Sequence, residues 1–258
     1  MNRVTLESVQ QAMMEAGFFP EKRFSQNFLI NEEVVRALVN AAHHTKKDHV
    51  LEIGGGTGIV THALAETGAK VESVEVHSSL VPFLRKRFVS HANVTIIDSD
   101  FLKVDLNTLA FAKIVASPPY AISDDIMYKI LAHGFERASL VWQLEFVEKI
   151  LSTPGSGEYH PLSVITQYFY DAEMVQKITP KSFYPVPNHF SAILSLKRNK
   201  RKMMPHFELF VSWLRVLFRF RNKTLRNAVQ MLKKNPVKGI DASACEELIA
   251  GQEISEEK

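Results

Sequence analysis

Seven short runs rich in β-branched and apolar residues, most of them separated by segments with helical spacing, constrain this chain more than any other feature. The runs are HVLEIG (49–54), KVESVEV (70–76), VTIID (94–98), KIVAS (113–117), SLVWQL (139–144), EMVQKI (173–178) and SAILSL (191–196). Between the first five lie helical patterns such as THALAET, SSLVPFLRKRF and DDIMYKILAHGF. Strands alternating with helices of this length imply parallel strands covered by helices, which is a doubly wound α/β sheet. The last two runs are joined by the turn-rich KSFYPVPNH, too short and Pro-rich for a crossover helix. They read as an antiparallel pair at the far edge, giving a mixed seven-stranded sheet. After Leu196 three helical patterns follow with no strand between them: HFELFVSWLRVLFRF, KTLRNAVQMLKK and SACEELIA. The spacing therefore predicts an α/β domain over 1–199, with an N-terminal helical segment at 1–30. A small all-helical domain follows over 200–258, and the charged KRNKRKMMP stretch divides the two.

A chain of 258 residues with 46% hydrophobic and 23% charged residues holds a core large enough to fold without staples. Its single cysteine, Cys245, excludes a disulfide framework and a Cys-rich zinc site, and no metal site is expected. No segment approaches the ~18 uninterrupted apolar residues of a membrane helix. The opening residues lack the apolar centre of a signal peptide, so a cytoplasmic protein with no membrane partner is expected. The net charge of +3 is modest, but its distribution is not even. Twelve Lys or Arg stand against one acid, Glu208, between Lys197 and Lys234, and six acids follow from Asp241 onward. A cationic segment before an acidic tail suggests a surface facing a polyanion. Such a run is more often only a solvated face, so the reading needs support from elsewhere in the chain.

That support begins at LEIGGGTG. Glu52, Gly54, Gly56 and Gly58 form E-x-G-x-G-x-G where the first strand runs into a helix. Glycines there let the backbone turn sharply and approach a ligand with no Cβ in the way. Glu75 ends the second run, where a carboxylate accepts the hydroxyls of an adenosine ribose. Asp100 follows the third run, in place to take a hydrogen bond from an adenine amine, with Val76 and Phe101 as apolar walls. G-x-G-x-G differs from the G-x-G-x-x-G of dinucleotide sites, and the spacing favours a nucleoside without a pyrophosphate.

Ser117-Pro118-Pro119-Tyr120 ends the fourth run and matches the pattern D/N/S-P-P-Y/F/W of amino-methyltransferases, which use S-adenosylmethionine. An exocyclic base amine is a poor nucleophile because its lone pair is delocalised into the ring. Accepting its two N–H bonds, one at the Ser117 side chain and one at the Pro118 carbonyl, favours a more tetrahedral nitrogen. Its lone pair then points at the donor methyl. The prolines fix the turn and remove competing N–H donors, and Tyr120 is placed to stack on a flipped base. A plain Pro-Pro turn is the bland alternative. The position of this one, a strand after the cofactor acids, favours the chemical reading.

Taken in order, FSQNFL (24–29), LEIGGGTG, Glu75, SDFLKVDL (99–106), SPPY, QLEF (143–146), SFYPVPNHFSAIL (182–194) and RNKTLRNAV (221–229) resemble the ribosomal RNA adenine dimethyltransferase (KsgA) family. The erythromycin-resistance methyltransferases are relatives of that family. The resemblance runs from about Phe24 to Leu232. It implies a Rossmann-like class I methyltransferase fold and S-adenosylmethionine as cofactor, with S-adenosylhomocysteine as product. It also implies that Gln26, Asn27 and Leu29 close over the methionine end of the cofactor. Gly54, Gly56, Glu75 and Asp100 match the cofactor loop, ribose acid and adenine-contacting acid. Tyr120 and Phe183 match the aromatics that sandwich the target base, and Ser117 takes the place of the catalytic asparagine in N-L-P-Y.

Three features, covering four positions, depart from the family. Ser25 replaces a glycine. His77 replaces an aspartate after the ribose acid and reads as a surface histidine rather than a ligand. Ser117-Pro118 replaces Asn-Leu and resembles the signature of cytosine-amine enzymes, so adenine N6 follows from the family and cytosine N4 from the local motif. In the helical segment, Arg215, Arg219, Arg221, Lys223 and Arg226 border Trp213, Leu214, Leu217 and Phe218, which are expected to face the core. Those cations are expected to contact RNA phosphates, and the partner is ribosomal RNA within a small-subunit precursor, bound by a monomer. A non-catalytic nucleic-acid-binding factor, in ribosome assembly or transcription, is the alternative on the same scaffold. The retained cofactor residues stand against it.

Overall fold

The computed structural model describes residues 4–20, 26–201 and 207–234, so the SACEELIA pattern, Cys245, Phe24 and Ser25 lie outside the described residues. Helix α1 (Leu6–Ala16) opens on a reciprocal cap, with Thr5 Oγ1 accepting from Ser8 N and Ser8 Oγ accepting from Thr5 N. A two-residue strand β1 (Phe28–Leu29) and helix α2 (Glu32–Ala41) lead into the sheet. Its first half is β2 (His49–Ile53), α3 (Ile59–Ala65), β3 (Lys70–Glu75), α4 (Leu80–Arg87) and β4 (Val94–Asp98). Its second half is β5 (Lys113–Ala116), α5 (Ser123–His133), β6 (Arg137–Gln143), α6 (Leu144–Leu151) and α7 (Pro161–Phe169), followed by β7 (Tyr170–Ile178). Then come the short β8 (Phe183–Tyr184), β9 (Ser191–Arg198), α8 (Phe207–Arg219) and α9 (Leu225–Lys234).

The seven strands lie in the order β4-β3-β2-β5-β6-β9-β7. From β4 to β6 every pairing is parallel, and β9 pairs antiparallel with both β6 and β7. This is the mixed seven-stranded sheet expected from the alternation of strands and helices. β5 and β6, with helices packed over both faces, are buried almost throughout, as their unbroken apolar runs demand. Between its buried ends β7 alternates exposed and half-buried residues, because it is an edge strand with one face covered.

From β2 the chain winds outward through β3 to β4, then returns to β5 on the other side of β2. That reversal opens a crevice at the carboxyl ends of β2 and β5, where doubly wound sheets bind ligands. Gly58 lets α3 start immediately behind the crevice. Its φ is +76°, and a Cβ there would stand 2.9 Å from Leu84 Cδ2 and 3.0 Å from the Phe88 ring.

Helix α8 packs onto the main core through Phe207, Phe210, Val211 and Leu214, the i, i+3, i+4, i+7 face. Phe169 and Tyr168 meet Phe207 and Phe210 with ring centroids 6.2 and 6.4 Å apart. The face expected from sequence was centred on Trp213, Leu214, Leu217 and Phe218, and all four are only half-buried. The aromatic pair at the end of α7 sets the rotation of α8, and Phe218 instead packs beside Tyr159. No helix among the described residues is long and apolar enough to cross a membrane.

Candidate active site

Four strand ends converge on a cavity of 550 Å³, within the range of small-molecule sites. Gly54 and Gly56 after β2, Glu75 and Val76 at the end of β3, Asp100 and Phe101 after β4, and Ser117 to Tyr120 after β5 all line it. Gln26, Asn27 and Leu29 line it from the N-terminal segment. The glycine loop and the proline turn are neighbours: a Cβ placed on Gly54 would lie 3.9 Å from both Pro118 Cα and Pro119 Cδ. Gly56, at φ +55°, packs so close to Phe28 that a Cβ would stand 3.1 Å from the ring. Phe28 is thus a wall of the site that sequence reasoning missed.

Glu75 holds this loop in shape. Its Oε2 accepts from Gly56 N at 2.8 Å, and its Oε1 accepts from Val76 N and His77 N, both at 2.9 Å. Charge-assisted bonds of this kind are the strong ones. A carboxylate has about four lone-pair sites, so one remains on Oε2 for a ligand hydroxyl. Asp100 Oδ1 accepts from Leu102 N at 3.0 Å and caps the short 3-10 turn Phe101–Lys103, with Lys103 Nζ 3.9 Å from Oδ2. Val76 is 63% exposed whereas Phe101 is buried, so one of the two proposed adenine walls is open to a ligand and the other is backed by the core. The residues fit an adenosine with a short polar tail: acceptors at two strand ends, apolar walls, and a backbone cradle that any side chain would fill.

Behind the loop sits Glu52, fully buried, with its Oε2 accepting from Thr61 Oγ1 at 2.6 Å. Burial pushes its carboxyl up to about 8, against the lowering influence of the Ser73 and Thr61 hydroxyls. The folded protein therefore keeps a proton on Glu52 that the unfolded chain releases near its ordinary value of 4.5. Stability falls as pH rises between those two values, by roughly a kcal/mol per pH unit, and is flat above them. Glu52→Gln is expected to remove that slope. Thermal unfolding from pH 5 to pH 8.5 checks it, with the variant's melting temperature gaining on the parent's as pH rises; parallel curves would contradict it.

Tyr120 is buried, and its hydroxyl shares a hydrogen bond with Ser191 Oγ at 2.9 Å. Burial pushes the phenol well above its usual range, so it stays protonated and does not serve as a base. The ring meets His189 edge-on at 5.4 Å, and His189 Nε2 lies 3.3 Å from Gln143 Nε2. Ser117 is half-buried, and its hydroxyl has no hydrogen-bond partner among the described residues.

Phe183 is not brought to the cavity. It is fully buried in β8, where its backbone pairs opposite Leu29 of β1. The β1–β8 pair thus draws Phe183 into the core, away from the cavity lining that Tyr120 joins. His77, read from sequence as a surface histidine, is half-buried, meets Phe18 edge-on at 4.8 Å and lines the cavity. The nearby segment carries two exposed apolar side chains, Val186 and Phe190.

Of the cations beyond the catalytic face, Arg215 stacks over the Tyr128 ring at 4.2 Å and Arg221 donates to Ser156 O at 3.0 Å. Arg219, Lys223 and Arg226 are exposed.

A family model described as ribosomal RNA adenine dimethylase matches residues 18–247. The chain belongs to this family. It is 41% identical over 209 residues to "Probable ribosomal RNA small subunit methyltransferase A" of Methanococcus maripaludis, covering 81% of this chain and 80% of that protein. A protein of the same name from Methanococcoides burtonii is 37% identical over 232 residues, covering 87% and 84%. Among solved structures, a dimethyladenosine transferase from Plasmodium falciparum superposes with a TM-score of 0.77 at 26% identity, covering 90% of this chain and 91% of that one. The 23S rRNA methyltransferase ErmE gives 0.63 at 28% identity, covering 83% and 93%. In this member of the family, the Rossmann-like sheet carries Ser117 and Pro118 where the family resemblance places Asn and Leu.

Proposed function

We propose that this adenine dimethylase family member transfers methyl groups from S-adenosylmethionine to adenine N6 in small-subunit ribosomal RNA. The observation that supports the reading most is the junction of Gly54 with Pro118 and Pro119, which sets a nucleoside cradle against an amine-gripping turn. S-adenosylmethionine supplies an electrophilic methyl group when bound. Glu75 would hold its ribose, Asp100 its adenine amine, and Gln26, Asn27 and Leu29 its amino-acid end. On the other side of the junction, Ser117 Oγ and the Pro118 carbonyl accept the two N–H bonds of the target amine. Tyr120, fixed through Ser191, forms a rigid wall for the base. Catalysis by these groups is positioning and electrostatics, with no side chain required to take a proton before transfer. Arg215, Arg219, Arg221, Lys223 and Arg226, all exposed, supply the cations for RNA phosphates.

Mass spectrometry of nucleosides tests this reading. Small-subunit RNA lacking the modification, incubated with the protein and deuterated-methyl cofactor, is expected to yield labelled N6-methylated adenosine. Labelled N4-methylcytidine would assign the base to the Ser-Pro-Pro-Tyr motif instead. No labelled nucleoside together with no heat of cofactor binding at millimolar concentration would make the chain a non-catalytic binding factor.

Ser117→Ala is expected to lower kcat by about 10- to 100-fold, the value of one hydrogen bond made mainly in the transition state. Cofactor affinity is expected to change by less than about threefold. Calorimetry and single-turnover rates measured on the same preparation check it. Equal loss of both would make Ser117 a cofactor ligand alone.

A further inference from the structure

One group of metal-ligating side chains stands apart from the cavity just described. His62 lies on α3, Glu66 immediately follows that helix, and His91 sits in the turn between α4 and β4. One donor atom from each falls within 4.8 Å of the other two. His62 Nε2 is 3.9 Å from Glu66 Oε1, and the His62 and His91 rings meet edge-on at 5.9 Å. His62 Nε2 is itself buried and has no hydrogen-bond partner among the described residues, an arrangement that costs free energy unless something else binds it.

We propose that His62, Glu66 and His91 form a divalent transition-metal site, with Zn²⁺ the best-matched ion. Two imidazoles and one carboxylate are a ligand set that zinc takes, with a fourth position left to water. Metal–donor bonds near 2.0–2.2 Å require donor separations of about 3.5 Å, so the three side chains need to close by about 1 Å. Glu66, 58% exposed, has the freedom to do so. The charge of Arg87 opposes a second cation here, and that of Glu66 offsets it. The bound ion would tie the end of α3 to the turn after α4. Gly58 caps the start of α3, so the clip would brace the helix that follows the cofactor loop. Nothing in this proposal depends on the reaction catalysed.

The test uses the full-length, tag-free protein stripped with chelator and titrated with ZnCl₂ against a chromophoric zinc indicator. One equivalent is expected to bind with micromolar or tighter affinity and to raise the melting temperature. Substituting Co²⁺ is expected to give the visible absorption of a four- or five-coordinate nitrogen–oxygen site. His62→Ala, His91→Ala and Glu66→Gln are each expected to weaken Zn²⁺ by about tenfold or more, whereas His133→Ala leaves it unchanged. Glu66→Gln is at an exposed position, so it reads the site even where a histidine variant folds poorly. No binding at micromolar Zn²⁺, or binding that survives Glu66→Gln and either histidine change undiminished, overturns the proposal.

Discussion

Glu75→Ala is expected to weaken S-adenosylmethionine binding by about 100-fold or more and to lower the melting temperature of the cofactor-free protein. Two losses combine. A ribose hydroxyl loses its acceptor, and Gly56, Val76 and His77 lose the carboxylate that gathers their N–H groups at 2.8 to 2.9 Å. Hydrogen bonds to a charged group contribute about 1.5–3 kcal/mol each, so even two account for the expected change. Glu75→Gln separates the parts, because its amide oxygen still accepts while its NH₂ faces a backbone donor. An intermediate loss is expected for it. Calorimetry reads both variants, and an affinity within threefold of the parent in Glu75→Ala would remove Glu75 from the cofactor site.

Tyr120→Ala is expected to reduce kcat/KM on RNA by about 100-fold or more while cofactor affinity falls much less. The ring borders the cavity beside Ser117, so its loss leaves the base unsupported at the turn that grips the amine. Its removal also empties a buried site between Trp142 and His189, at a stability cost of about 3–5 kcal/mol for a large aromatic. Tyr120→Phe is the control for folding. It keeps the ring and loses only the Ser191 bond, so it is expected to lose about 1 kcal/mol of stability and little turnover. Equal activity of the Ala and Phe variants, measured under conditions where both are folded, would deny the ring any part in holding the base.

The sheet was legible in the sequence because its signal is local. Apolar β-branched runs begin and end within a few residues of strands β2 to β6, and the Pro-rich KSFYPVPNH stretch marks the switch to antiparallel pairing. The meeting of Gly54 with Pro118 and Pro119 was legible for a different reason: in a doubly wound sheet, strand ends on the two sides of the reversal converge whatever their side chains. What the sequence left hidden depends on pairings that carry no periodic signal. The two-residue β1–β8 ladder decides that Phe183 goes inward, and two residues show no alternation to read. The rotation of α8 is set by Tyr168 and Phe169 on another helix, so its own amphipathic pattern fits more than one face. His77 looked like a surface residue because its partner, Phe18, belongs to a distant segment. The same holds for His91, which only the fold brings beside His62 and Glu66.

The central claim is that donor methyl and base amine meet at the carboxyl ends of β2 and β5. A crystal structure with S-adenosylhomocysteine measures it directly. The adenine is expected against Val76 with its amine towards Asp100, the ribose on Glu75, and the sulfur facing Ser117 and the Pro118 carbonyl. A ligand whose sulfur points away from that turn, or one seated outside the Gly54–Gly56 loop, would contradict it.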